Sequence, residues 1–251
     1  MRSQRIDSMM LYIKENKTVT LEQLCEQFQV SKNTIRRDLP EILETGEFKK
    51  IYGGITSSPN TYLKSFSERH VTNLELKQQI AQKAAQYVTD GDIIFIDSGT
   101  TTYHMVEFLK DKKDITILSH SLEVFTRTAL YPNLRVVSLP GVLDHKTLSF
   151  AGLNTTKYLE NYNISKAFIA TAGLSAESGL TNFSPKEFEI KQTILTKSRE
   201  NYILADHTKF HNASLLTFSN FENVHAIITD TSPEKELTDY LTARQIDVIV
   251  S

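Results

Sequence analysis

The amino-acid sequence predicts an α/β protein in two parts. A small N-terminal domain of three helices closes on a β-hairpin, and a larger domain is doubly wound about a parallel sheet. Three observations carry this prediction. In the first 57 residues, apolar side chains recur at helical spacing, then give way to a strand, a Gly-Gly turn and a second strand. After residue 73, seven short apolar runs alternate mostly with helical patterns, as strands covered on both faces by helices do. Between the two parts, SSPNT at 57–61 has turn residues and no period. The expected division is 1–57, a linker over 58–73, and 74–251.

The bulk composition narrows the function classes. With 40% apolar and 23% charged residues, the 251-residue chain can bury a core and fits one or two domains. A net charge of −2 excludes a polybasic nucleic-acid coat, so any basic surface must be local. One cysteine, Cys25, excludes an internal disulfide and fits a reducing compartment. It lies in an apolar-periodic segment, as a small core residue does. No run approaches the ~18–20 apolar residues that span a bilayer, and the N-terminus lacks the apolar block of a signal peptide. The expected location is the cytoplasm, with no membrane partner.

Ile6, Met9, Met10 and Ile13 mark the first helix. Thr20 caps the second, which carries Leu21, Leu24, Cys25 and Phe28. Gln29-Val30 turns the chain. Ser31 caps a third helix with Thr34, Ile35, Leu39, Ile42 and Leu43, which Gly46 is expected to close. Residues 48–52 read as a strand, and Gly53-Gly54 as a tight turn to Ile55.

The stretch VSKNTIRRDL at 30–39 sets Arg36 beside Arg37. Helix, short turn, helix is the geometry in which the second helix lies in a DNA major groove. Ile35 and Leu39 face inward, which leaves Lys32, Asn33, Arg36 and Arg37 outward, with Ser31 and Thr34 at the helix start. Arginine reaches guanine bidentately, asparagine reaches adenine, and lysine meets phosphate. Lys49, Lys50 and Tyr52 on the following strand suit a wing along the backbone. The competing reading is a solvated face, since residues 1–57 hold nine Lys/Arg against eight Asp/Glu. The charge order argues against it. Cations gather at the helix start and Glu41, Glu44 and Glu47 at its end, the reverse of what the helix dipole favours.

In the larger domain, Leu76, Ile80, Ala84 and Tyr87-Val88 mark a helix. The apolar runs are 93–96, 115–118, 134–139, 167–170, 202–205, 226–228 and 246–250. FIDSGTTT at 95–102 ends a strand at Asp97 and turns through Ser98, Gly99, Thr100 and Thr101 into a helix. Such a loop is either an anion site or an ordinary capped turn. It lacks GxGxxG and the P-loop lysine, which argues against a dinucleotide or ATP. Other strand ends supply His120, Gly141 and Lys209, the last a point charge suited to phosphate. Glu187 and Lys191, four apart, suit a surface salt bridge better than a sugar contact.

VSKNTIRRDL followed by LETGEFKKIYGG resembles the winged helix-turn-helix of the DeoR family of bacterial sugar-metabolism regulators. The family pattern is roughly VS-x-x-TIRRDL-x-x-L-E-x-x-G, then a basic strand and GG. Two departures stand out: Pro40 inside the recognition helix, where a kink is expected, and lysines where the family usually has a wing arginine. FIDSGTTT, AFIATAGLSAESGLT at 167–181 and ADHTKF at 205–210 resemble the family's Rossmann-like α/β effector domain. That domain is similar to ribose-5-phosphate isomerase and glucosamine-6-phosphate deaminase. The likeness covers nearly the whole chain. It implies a repressor of a sugar-utilisation operon, a dimer or tetramer on double-stranded operator DNA, released by a phosphorylated sugar and needing no cofactor. Asp97, Ser98, Gly99, Thr100, Thr101, Glu187, Lys191 and Lys209 carry over as effector residues. Ser-His-Ser around His120 replaces the family's Thr-Asn-Ser, and Pro140-Gly141 its Gly-Gly; both bear on which sugar is bound.

The alternative is a phosphosugar isomerase or deaminase with an added DNA-binding domain. Enolisation needs a general base beside the carbon acid, and the related enzymes place carboxylates after a central strand. Here that stretch is Ala170-Thr171-Ala172-Gly173. No catalytic residue is assigned. The seven histidines show no metal spacing, so no metal is expected.

Overall fold

The computed structural model describes residues 2–44, 48–57, 64–152 and 154–251, in two compact units, Met1–Tyr62 and Leu63–Ser251. The first unit runs α1 (Arg2–Asn16), β1 (Thr18–Thr20), α2 (Leu21–Phe28), α3 (Lys32–Glu44), β2 (Phe48–Ile51) and β3 (Gly54–Ser57). Thr20 opens α2 with a capping box: its hydroxyl accepts from Gln23 N, and the Gln23 side chain accepts from Thr20 N at 2.8 Å. Gln29, left-handed at φ +52, ends α2, and Ser31 Oγ accepts from Thr34 N to start α3. The helix persists through Pro40 to Glu44. The expected Gly46 closure, Glu47, and residues 58–63 of the expected linker lie outside the described residues.

Ile6, Met9, Ile13, Leu24, Ile35, Leu39, Ile42, Phe48 and Ile55 form the core of this unit. An ion pair joins α1 to α3, with Arg5 Nε and Nη2 donating to Asp38 Oδ2 at 2.9 and 2.8 Å. The wing is a three-stranded sheet in the order β1-β3-β2, not a lone hairpin. β1 escaped the sequence because only Val19 points inward, and one residue has no period. The two glycines have separate reasons. Gly53 takes φ +76 in the turn, whereas a Cβ on Gly54 would stand 2.3 Å from Val19 O.

The second unit runs α4 (Phe66–Val71), α5 (Leu74–Ala85), β4 (Ile93–Ile96), α6 (Met105–Phe108), β5 (Thr116–Ser119), α7 (Leu122–Thr128) and β6 (Arg135–Ser138). It continues with β7 (Val142–Asp144), β8 (Ser149–Ala151), α8 (Thr155–Leu159), β9 (Lys166–Ala170), β10 (Gly173–Ser175), β11 (Gly179–Asn182) and α9 (Pro185–Lys197). Last come β12 (Glu200–Leu204), β13 (Leu216–Ser219), β14 (Ala226–Thr229), α10 (Lys235–Thr242) and β15 (Asp247–Val250). All seven apolar runs became strands of one sheet, ordered β15-β14-β12-β9-β4-β5-β6 and parallel at every pairing.

Successive residues of these strands enter opposite cores. Phe95, Leu118, Ile169, Ile203 and Ile227 pack on one face, Ile94, Ile96, Ile117, Phe168, Tyr202 and Ile228 on the other. Two small antiparallel sheets, β10-β11-β13 and β7-β8, were not expected. The expected linker is corrected over its second half. Ser65 caps α4 in a box with Glu68, and Phe66 is buried against Tyr103, so this stretch belongs to the second unit. A six-residue helix with one inward aromatic is too short to show a period. Among the described residues, no helix is long and apolar enough to cross a membrane.

Candidate DNA-binding surface and effector site

Burial of Ile35, Asp38 and Leu39 turns the other side of α3 outward. Lys32, Asn33, Arg36 and Arg37 are exposed, as are Ser31 and the wing residues Lys49 and Lys50, while Thr34 is half-buried. Tyr52 stands wholly clear at the wing tip. Lys32 is not idle. It is ion-paired with Glu22 of α2, which holds the Glu22 carboxyl below its usual range. Both partners are about half exposed, a setting in which such pairs contribute little and exchange readily. Four donor side chains at a helix start and two lysines on a strand make a surface matched to a polyanion with readable edges.

The second cluster forms at the carboxyl ends of β4, β9 and β12. Asp97 follows β4 and is fully buried. Its Oδ2 accepts from Lys191 Nζ at 2.5 Å and from Ala170 N at 3.0 Å, and Lys191 also donates to Ala170 O at 2.6 Å. Burial, the largest single influence, would raise the Asp97 carboxyl, but Lys191 and the other groups facing it together outweigh that, so Asp97 stays below its usual range and ionised. His120 stacks on Phe95 with its Nε2 3.7 Å from Asp97 Oδ1. Burial pushes this imidazole down despite Asp97 and Glu187, so it is neutral and Lys191 is the cation of the pair. Among the described residues, neither His120 nitrogen nor Asp97 Oδ1 has a hydrogen-bond partner.

The expected Glu187–Lys191 salt bridge does not form. Lys191 is 3% exposed and serves Asp97, while Glu187 Oε1 accepts from Ser98 Oγ at 2.9 Å and Ser149 Oγ at 3.0 Å. The helical spacing was right; tertiary partners displaced the local one. Gly99 fits because a Cβ there would lie 2.2 Å from Ala170 Cβ. Thr102 closes the loop, donating to Asp97 O at 2.7 Å, and Thr100 and Thr101 are buried beside it. The loop enters a 3-10 turn at Thr102–His104 and then the four-residue α6, so little helix dipole backs it. Gly141 stands apart from this network: a Cβ there would meet Ala151 N at 2.4 Å, so it serves the approach to β8.

Sequence reasoning missed two charged groups, Lys77 and Arg69, and noted a third, Asp206, only by its place after a strand. Lys77 of α5 is 3% exposed, donates to Arg69 O at 2.5 Å, and is lowered to about 8 by burial first, then by Lys209. Arg69 of α4 feels Glu187 and Asp97. Asp206 is buried after β12, and Lys209 and Lys77 help hold its carboxyl below its usual range against the burial that would raise it. Arg69, Lys77 and Lys209 thus bring three cations toward the buried carboxylates. Lys77 was legible: with Ile80, Ala81 and Ala84 at +3, +4 and +7, it lies on the apolar stripe of α5. Arg69 was hidden in the expected linker. Cations, carboxylates and hydroxyls gathered in this way suit a ligand that joins an anion to a polyol.

Together, a helix-turn-helix with an outward cationic face and an α/β unit with a buried polar cluster define a DNA-binding regulator with its own sensor unit. Residues 5–61 match the DeoR-like helix-turn-helix domain and residues 72–231 the DeoR C terminal sensor domain. The chain is 39% identical over 248 residues to the HTH-type transcriptional regulator IolR of Bacillus subtilis (strain 168), covering 99% of each. It is 26% identical over 247 residues to the glycerol-3-phosphate regulon repressor of Escherichia coli (strain K12), covering 98% of each. Among solved structures, ribose 5 phosphate isomerase A from Neisseria gonorrhoeae shares 21% identity over 56% of this chain and 55% of that one, with a TM-score of 0.42. The chain belongs to the DeoR family of helix-turn-helix transcriptional regulators. That membership decides for the regulator over the isomerase.

Proposed function

We propose that the protein represses a sugar-utilisation operon from the cytoplasm and is released by a phosphorylated sugar. α3 enters the major groove with Arg36 and Asn33 at base edges, Ser31, Thr34, Lys32 and Arg37 at its flanks, and Lys49, Lys50 and Tyr52 along the backbone. A dimer or tetramer holds two such units on half-sites about one helical turn apart. The phosphate of the effector meets Lys77, Lys209 and Arg69 beside the Ser98–Thr101 loop. Its hydroxyls meet Asp97, His120, Glu187 and Lys191. No cofactor takes part. The observation that carries the reading is the polar cluster at the strand ends, where Lys191 Nζ bridges Asp97 Oδ2 and Ala170 O and Glu187 Oε1 accepts from Ser98 and Ser149. The E. coli relative, named for the glycerol-3-phosphate regulon, adds support.

A ligand preferring one conformation shifts the population by its differential affinity, and a coupling of ~1–3 kcal/mol weakens operator binding 5- to 150-fold. The test is a thermal-shift screen of phosphorylated hexoses, pentoses and ketoses, followed by gel shift on upstream DNA. A hit should raise the melting temperature and release DNA. Stabilisation without release, or by unphosphorylated sugars alone, overturns the reading.

A further inference from the structure

Glu187 is held from a second side. Ser149, at the start of β8, donates to the same Oε1 as Ser98, and its hydroxyl lies 2.7 Å from Thr147 Oγ1. Thr147 and Ser149 are both 1% exposed. Between them Leu148 is held at φ +51, a left-handed conformation unfavourable to a residue with a branched side chain. Such strain persists only where the surroundings over-determine it. Here Leu148 O accepts from Leu122 N at 2.9 Å and the side chain packs on the core. Two residues earlier, Lys146 O accepts from Phe66 N at 2.8 Å. Phe66 opens α4, the first described element after the DNA-binding unit. One strained turn therefore touches the Glu187 carboxylate at its end and the start of α4 at its middle.

We propose that Ser149 is a positioning residue that couples Glu187 to α4 through the 144–149 turn. Glu187 is the effector carboxylate in the function proposed above, and on that reading a sugar hydroxyl competing for Oε1 loosens the hold on α4. The coupling itself is testable without any sugar phosphate, by hydrogen exchange with mass spectrometry on the full chain. Ser149→Ala should speed exchange in the peptide covering 64–72 about fivefold, the worth of one ordinary hydrogen bond, and leave α10 unchanged. Ser98→Ala removes the other bond to the same oxygen without touching the turn, and should leave α4 at the wild-type rate. If Ser149→Ala does not fold, Ser149→Cys, which keeps the side chain's shape and weakens its donor, should give an α4-specific acceleration in the same direction. Wild-type exchange at 64–72 in the variant that folds overturns the proposal, as does equal acceleration in Ser98→Ala. Failure of every phosphate ester to bind would instead sink the effector reading and leave this coupling standing.

Discussion

Lys77 shows how a residue proposed to meet the effector is held at a cost to the fold. Its ammonium is buried on an apolar stripe, and burial, reinforced by Lys209, lowers it from 10.5 to about 8. In the unfolded chain it keeps its proton to about 10.5. Between those values the unfolded state binds more protons, so the stability linked to this group rises with pH, and the cost is fully present below 8. Lys77→Met should therefore gain most over wild type near pH 7, with the gap closing toward pH 10. A melting-temperature gap that is flat across that range rules out the linkage. His120 makes a related point at the same scale. Its position after β5 was readable, but its complete burial and the lack of a hydrogen-bond partner for either nitrogen among the described residues were not.

At the scale of elements, the loop after β4 is shaped by its contact with the end of β9. Gly99 approaches Ala170 so closely that any side chain must displace the strand end bearing Lys191's second acceptor. Gly99→Ala should cost about 1–3 kcal/mol by chemical denaturation, as overpacking does. Adding Ala170→Gly should recover most of that loss, because the clash is between those two Cβ atoms. If the double variant is merely the sum of its parts, the close approach is not what glycine is there for. α4 and β1 were missed for one reason: each presents one inward residue, Phe66 or Val19, and pattern recognition needs at least two.

For the whole molecule, a net charge of −2 is compatible with the proposed DNA surface because a local group of cations on α3 and the wing is enough to form it. DNA affinity should fall steeply with salt. Lys49→Ala should reduce the slope of log K against log salt by about 1 on any sequence, whereas Arg36→Ala should cost ~1–3 kcal/mol on the operator and relax specificity. Fluorescence anisotropy across a salt series separates them; identical behaviour of the two variants contradicts the assignment of groove and backbone roles. By itself the sequence determined the winged helix-turn-helix, the seven-stranded parallel sheet and the candidate loop at Asp97. All three are written in periodicity, turn chemistry and short-range motif, which act between near neighbours. Only the tertiary structure decided that Lys191 serves Asp97 rather than Glu187, that Ser149 shares Glu187 with Ser98, and that Arg69 and Lys77 join Lys209. Those pairings join groups far apart in the chain, and burial strengthens charge and hydrogen-bond partnerships that local spacing does not encode.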